Sequence, residues 1–549
     1  MARNGLGPLL CLCLLACASS APFRFSDRGP VWRIDDRRPY AKPPKPFYSP
    51  YVWDGANYAF FRKLAYPLSF PAEGESEDVN AVDEVPNSSW FTNRLSIREM
   101  SPEEVKLGAC ADLDDDAKVP WMVVGGKPDG ANPGFQAKDT RGRRFLVKVD
   151  GVLQPERATL ADTFGALLFH AAGYWVPCNR VVFIREEDLR LKPGAMVKRT
   201  NGTKEPLTQA AVDAVLSKAT RLLDGRYRVS VSEFIEGWPI SPWRYEGVRK
   251  DDPNDAIPHE DRRELRAMRL LASLFDHVDT RQENTLLSWI ETDEGLGYTR
   301  HYRIDWGEGF GFVGGFEGIP QRLGHAGYFD VGEILVDFVS FGFLARPWHD
   351  PSYGLAGASL GYYDAEDFDP AGWRPGYPNP AFERATERDA AWMARIIARL
   401  TPAHFEAMVE RAHLSQVEHM EAEVLRILLS RRQAVLERYL THVSPLTWPR
   451  LEEGRLCLQD LATRTGLVPQ SERKLQAKLH QESGVRALAL TLDPEDWVCV
   501  ALPELDEYGV VDVQGRPEKG PARVHLSPSP EGLKVVGLER PYDAKEPRL

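Results

Sequence analysis

The stretch His277-Val278-Asp279-Thr280-Arg281-Gln282-Glu283-Asn284, with Asp305-Trp306-Gly307 after it, decides how the rest of the chain is read. Its spacing, H-x-D-x-x-x-x-N, sets a carboxylate and a carboxamide on one loop. A carboxylate can accept the proton of an attacking hydroxyl, while an amide oxygen and a second carboxylate can hold magnesium on phosphates. Asp279, Asn284 and Asp305 stand in the order and spacing those tasks require. Singly, each has a plainer role: Asp279 and Asn284 as loop caps, residues 305–307 as a turn after a strand. Their weight comes from what surrounds them.

Upstream of the loop, Asp261–Asp276 has the period of an amphipathic helix, with Leu265, Met268, Leu271, Leu274 and Phe275 inward. Downstream, Thr285–Ile290 and Tyr302–Ile304 predict a hairpin that returns Asp305 beside Asn284. Further back, Trp121–Val124, Phe135–Lys138 and Phe145–Val149 predict three strands. The first two are joined by a glycine-rich loop, Gly125–Gly134, whose backbone N–H groups could cradle phosphate because glycine lets the main chain approach closely. Pro155–Ala172 predicts a helix closed by Gly173, and Val229–Glu236 a buried strand running into Gly237. Helical patterns recur at Val331–Phe343, Glu387–Leu400, Pro402–Ala412 and Gln416–His442. After Pro445 the pattern changes to short alternating strands at Val485–Leu492, Trp497–Leu502, Gly509–Val513, Ala522–Leu526 and Leu533–Leu538.

In this order of parts the chain resembles the protein-kinase-like superfamily. It is closer to the atypical branches (toxin-type, lipid-kinase-like and secreted kinases) than to ordinary protein kinases. Asn87–Arg94, Pro133-Gly134-Phe135, Ala172–Pro177 and His301–Gly307 also resemble a bacterial lipoprotein group with no assigned activity. The resemblance implies an α+β fold with a two-lobed core, a small β-rich N-lobe and a larger, mostly helical C-lobe, followed by a small β domain. The expected divisions are a signal peptide over 1–16, a loop-rich arm over 17–118, lobes over 119–236 and 237–445, and the β domain over 446–549.

By the same resemblance, Lys148 would bind the α/β-phosphates of ATP or another nucleotide and Asp279 would be the base. Asn284 and Asp305 would hold Mg²⁺. Gly130 and Gly134 would belong to the phosphate loop, and the backbone around Glu233 and Ile235 would meet the adenine. An acid on the helix after Lys148 would orient that lysine, and Glu156 and Asp162 both qualify. Two departures stand out: Val278 replaces the arginine that couples such loops to a phosphorylated activation segment, and the glycine loop lacks G-x-G-x-x-G spacing. The function implied is phosphoryl transfer to a hydroxyl acceptor; the alternative is a catalytically inactive envelope binding or scaffold protein on the same fold.

The start of the chain sets the expected compartment. Arg3 precedes the apolar run Leu9–Ala16, which ends in Leu14-Leu15-Ala16-Cys17. That is the layout of a secretory signal, and the ending resembles a bacterial lipobox, which would make Cys17 the lipidated first residue, anchored to a membrane of the cell envelope. A net charge of -12 argues against nucleic acid as a partner. With Cys11 and Cys13 in the signal, Cys110, Cys178, Cys457 and Cys499 remain; Cys457 with Cys499 is the expected pair because both lie in the C-terminal region. No C-x-x-C or H-E-x-x-H motif supports zinc. Gly357-Ala358-Ser359-Leu360-Gly361 fits G-x-S-x-G, but its flanks predict a loop instead of the strand and helix a nucleophilic serine needs.

Overall fold

Alternating apolar residues turn Trp121–Gly126 (β1), Gly134–Lys138 (β2) and Arg144–Lys148 (β3) into an antiparallel meander. The computed structural model describes residues 36–541, apart from 48–52, 54–55, 58–60, 62–73, 112–117, 128–132, 199–202, 315–318, 329, 350–351, 416, 494 and 516. The expected signal peptide, Cys17 and Gly130 lie outside the described residues. Helix α1 (Arg157–Ala172) follows the meander, then strands β4 (Asn179–Ile184), β5 (Leu189–Lys198) and β6 (Tyr227–Glu233). They form an eight-stranded sheet in the order β4-β6-β3-β2-β1-β5, extended by Lys204–Pro206, with Thr220–Arg221 paired to β6. Trp121, Phe135, Val147, Val229 and Val231 make its core.

Helix α1 is buried along its whole length except at His170. It packs into the large helical core, where the Phe164 ring lies 5.6 Å, centroid to centroid, from Phe275 just past the end of α2 (Arg263–Leu274). Strands β7 (Thr285–Asp293) and β8 (Leu296–Arg303) form the expected hairpin, and Thr285 pairs with Arg303. Trp238–Ser241 and Tyr40–Ala41 complete its four-stranded sheet. The remaining long helices are α3 (Val331–Val339), α4 (Glu387–Ala398), α5 (Pro402–Glu410) and α6 (Met420–Leu440). Periodicity overshoots the ends where backbone chirality intervenes. Phe341 and Gly342 take positive φ beyond α3, His419 does so ahead of α6, and Asp276 does so where α2 gives way to the 277–284 loop.

Two antiparallel sheets enclose a separate core from Leu446 onward. One holds Leu446–Glu452, Arg455–Asp460, Trp497–Ala501 and Leu490–Leu492; the other holds Gly484–Leu488, Gln476–Gln481, Gly509–Gln514, Ala522–Ser529 and Gly532–Glu539. Leu446–Glu452 escapes the sequence pattern because its register shifts between Thr447 and Arg450 and Trp448 has φ +53°. Cys457 and Cys499 face each other across neighbouring strands and form a disulfide. A second disulfide joins Cys110 to Cys178, tying the arm to the start of β4. Among the described residues no helix is long and apolar enough to cross a membrane.

Candidate active site

Lys148 ends β3, where the sheet meets α1, and its side chain is almost wholly buried. A buried ammonium needs opposite charge. Its Nζ donates to Asp162 Oδ1 at 3.0 Å and to Asp305 Oδ1 at 2.9 Å. Burial alone would lower the lysine pKa, but the two carboxylates outweigh it and raise it. Burial would likewise raise Asp305, yet Lys148 and Lys127 hold it below the usual carboxylate range. The Asp305 side chain remains 32% exposed, so this ionised group is open to a ligand.

The geometry separates the two helix acids. Asp162 lies inside α1, takes Lys148 and the Trp306 amide on one oxygen, and accepts Ser230 Oγ on the other at 3.0 Å. Glu156 does not reach the lysine. It precedes α1 in the left-handed region (φ +65°), and its carboxylate accepts the Ser415 amide at 3.2 Å and faces Arg228 Nε at 3.5 Å. The sharp turn at Glu156 aims its side chain toward the helical core and leaves Lys148 to Asp162.

On the opposing loop, Asp279 Oδ1 pairs with Arg281 Nε at 2.8 Å and Oδ2 accepts Asn284 Nδ2 at 2.8 Å. Burial raises the Asp279 pKa against the pull of Arg281. Asn284 also donates Nδ2 to the Asp279 carbonyl at 2.7 Å, which leaves its side-chain oxygen as the atom to face a cation. The Asn284 carbonyl accepts the Ile304 amide at 3.1 Å, so the hairpin delivers Asp305 next to it. His277 is buried and stacked on Phe275 with ring centroids 5.6 Å apart, and neither ring nitrogen has a hydrogen-bond partner among the described residues. Burial takes its pKa down to about 3, so it packs as a neutral ring.

Gly134 pairs with Lys148 across the β2–β3 ladder, and a Cβ there would lie 2.2 Å from the Val147 carbonyl oxygen. The Glu233 amide is spent on Cys178 O at 2.9 Å and its carboxylate faces Arg143 and Arg180, with half-buried Ile235 following. Ser359 lies in a short 3₁₀ turn, with no strand leading into it.

Several residues at the site escaped the sequence reading. Lys127, at the mouth of the glycine loop, is close enough to Asp305 for the two charges to couple. Glu308 accepts Tyr328 OH at 3.2 Å. Burial and Asp279, with a smaller push from Asp305, carry it up to about 8 against Arg281. Gly165 on α1 leaves room for fully buried Trp306, since a Cβ would meet Trp306 Cγ at 2.4 Å. A glycine inside an apolar helix was the available signal.

Among the described residues no group of three or more His, Cys, Asp or Glu side chains is arranged to hold a metal ion. Asp305 and Asn284 instead offer two hard oxygen ligands, the set Mg²⁺ accepts when water and phosphate fill its remaining positions.

No family model matches the chain, and no curated protein sequence matches it. Two solved protein kinases share a distant likeness. The Golgi casein kinase with Mn/ADP bound is 11% identical, with 71% of this chain and 91% of that chain covered, at a TM-score of 0.26. The twitchin kinase region from C. elegans is 9% identical, with 81% and 79% covered, at 0.21. These scores are too low to transfer fold or activity, and the site stands on its own geometry.

Proposed function

We propose that this chain is a kinase-like phosphotransferase, moving a phosphoryl group from a nucleotide to a hydroxyl acceptor at the Lys148–Asp162–Asp305 cluster. The observation that carries this reading is the Lys148 ammonium held between Asp162 and Asp305, with Asp279 and Asn284 one hairpin connection away. Lys148 would hold phosphate oxygens, and Asp305 with the Asn284 oxygen would hold Mg²⁺. The cation, when bound, supplies neutralising charge on the phosphates. Asp279 would take the proton of the acceptor hydroxyl as its oxygen bonds to phosphorus and the bond to the nucleotide breaks. Its raised pKa suits that task, because a stronger base accepts the proton more readily.

One observation favours a second reading. Both Asp279 oxygens are already engaged, by Arg281 and Asn284, as they would be in a nucleotide-binding scaffold that performs no transfer. We place the protein in the bacterial cell envelope, attached through lipid on Cys17. Two disulfides support an oxidising compartment.

Calorimetry with Mg²⁺-ATP and Mg²⁺-GTP tests the site. Binding by the wild type that is lost in Asp305→Ala supports it; no binding by folded wild type removes it. Asp279→Ala is expected to keep nucleotide binding and lose transfer by about 10²–10⁴-fold. Nucleotide binding without transfer, unchanged in Arg281→Ala, would select the scaffold reading.

A further inference from the structure

The turn between β3 and α1 is built around two buried polar side chains that the chemistry above does not use. Arg157 is 2% exposed and makes no ion pair among the described residues. Its Nη1 donates to Gly307 O at 2.9 Å and Gly309 O at 2.6 Å, and its Nε to Gln154 Oε1 at 3.0 Å. Gln154, equally buried, donates Nε2 to Gly311 O at 2.8 Å and to Ala358 O and Ser359 O at 3.2 and 3.3 Å. Its Oε1 also accepts the Val313 amide at 2.9 Å. A buried guanidinium without a carboxylate partner is costly, and burial lowers this one to about 10. Every hydrogen bond that the Arg157 head makes goes to Gln154 or to the segment that begins at Asp305.

The same segment is fastened elsewhere. Its Trp306 amide goes to Asp162 and its Phe310 amide to the Phe275 carbonyl at 2.7 Å. Glu156, in the same turn as the clamp residues, anchors α1 to Ser415. Lys148, Asp162 and the clamp thus belong to one rigid run, β3–turn–α1, which grips residues 305–313 from end to end.

We infer that Gln154 and Arg157 are positioning residues that hold the 305–313 segment, and Asp305 with it, in its ligand-ready place in the resting protein. The inference takes the metal-binding role of Asp305 from the proposed function.

Hydrogen exchange of the full chain, read at the amides of 306–313, tests the clamp separately from nucleotide chemistry. In Arg157→Ala these amides should exchange at least about tenfold faster, the equivalent of losing one charge-assisted hydrogen bond. Arg157→Lys, which keeps the charge but not the fork, should restore only part of the protection. Gln154→Glu separates the two halves of the clamp: it keeps an acceptor for Arg157 and Val313 and gives the guanidinium a carboxylate, but it sets an oxygen against the Gly311, Ala358 and Ser359 carbonyls; here the acceleration should centre on 311–313. Mg²⁺-ATP affinity should fall with protection across the series. Unchanged exchange in both Arg157→Ala and Gln154→Glu overturns the clamp. Faster exchange in a wild-type background that binds no nucleotide leaves the clamp standing and removes the phosphotransfer reading instead.

Discussion

Residues 305–313 and 331–344 are both rich in aromatic and aliphatic side chains, and they end in opposite states. In the first, Trp306 and Phe310 are fully buried. In the second, α3 has no buried residue, and Phe338, Phe341 and Phe343 are 76%, 85% and 90% exposed. Apolar content does not separate them; the polar partners do. Asp162, Arg157 and Gln154 reach into the first segment from another element. The charges of the second are met from its own flank, with Arg346 on Glu333 at 2.6 Å and on Asp337 at 3.4 Å. An apolar face left outside in this way is the kind of patch that marks contact with another surface.

The sharpest way to break the contrast is to empty the buried side of it. Trp306→Ala should cost about 3–5 kcal/mol in urea unfolding, as for other large aromatic side chains removed from cores. A cost below about 1 kcal/mol would show that the segment is not locked by packing. Gly165→Ala comes next: its new Cβ must displace Trp306, and about 1–3 kcal/mol of destabilisation is expected together with weaker nucleotide binding.

A pH scan probes the pinned segment through its charge. Glu308 has a folded pKa raised from 4.5 to about 8, so the native state binds the proton more tightly than the unfolded chain. Its contribution to stability is therefore present in full below pH 4.5 and is lost as pH rises toward 8. Glu308→Gln should flatten that slope, gaining on the wild type at pH 8 and matching it at pH 4.5; parallel curves would contradict the shift. At the exposed end, Phe341→Ser and Phe343→Ser should each move stability by less than about 0.5 kcal/mol. A larger loss would mean these rings are covered in solution.

How much of this could be read in advance follows the range of each interaction. The 277–284 loop and the hairpin behind it are local, so Asp279, Asn284 and Asp305 could be placed from spacing alone. The choice between Glu156 and Asp162 could not, because it turns on one left-handed residue ahead of α1. Gln154 and Arg157 act on residues about 150 positions away, where no periodicity points. Cys457 and Cys499 could be matched by their shared region, but Cys110 and Cys178 lie in parts that the sequence reading kept separate. The α+β class was legible from the change of pattern along the chain, whereas the irregular strand at Leu446–Glu452 was hidden by its bulge.

The contact between Gly165 and Trp306 has a consequence for how this sequence can diverge. Neither position can change size alone: a larger residue at 165 needs a smaller one at 306, and a smaller ring at 306 opens a void that residue 165 could fill. Related chains should therefore show these two positions, 141 residues apart in sequence, drifting as a matched pair, with bulk passed from one to the other while Lys148, Asp162 and Asp305 stay fixed.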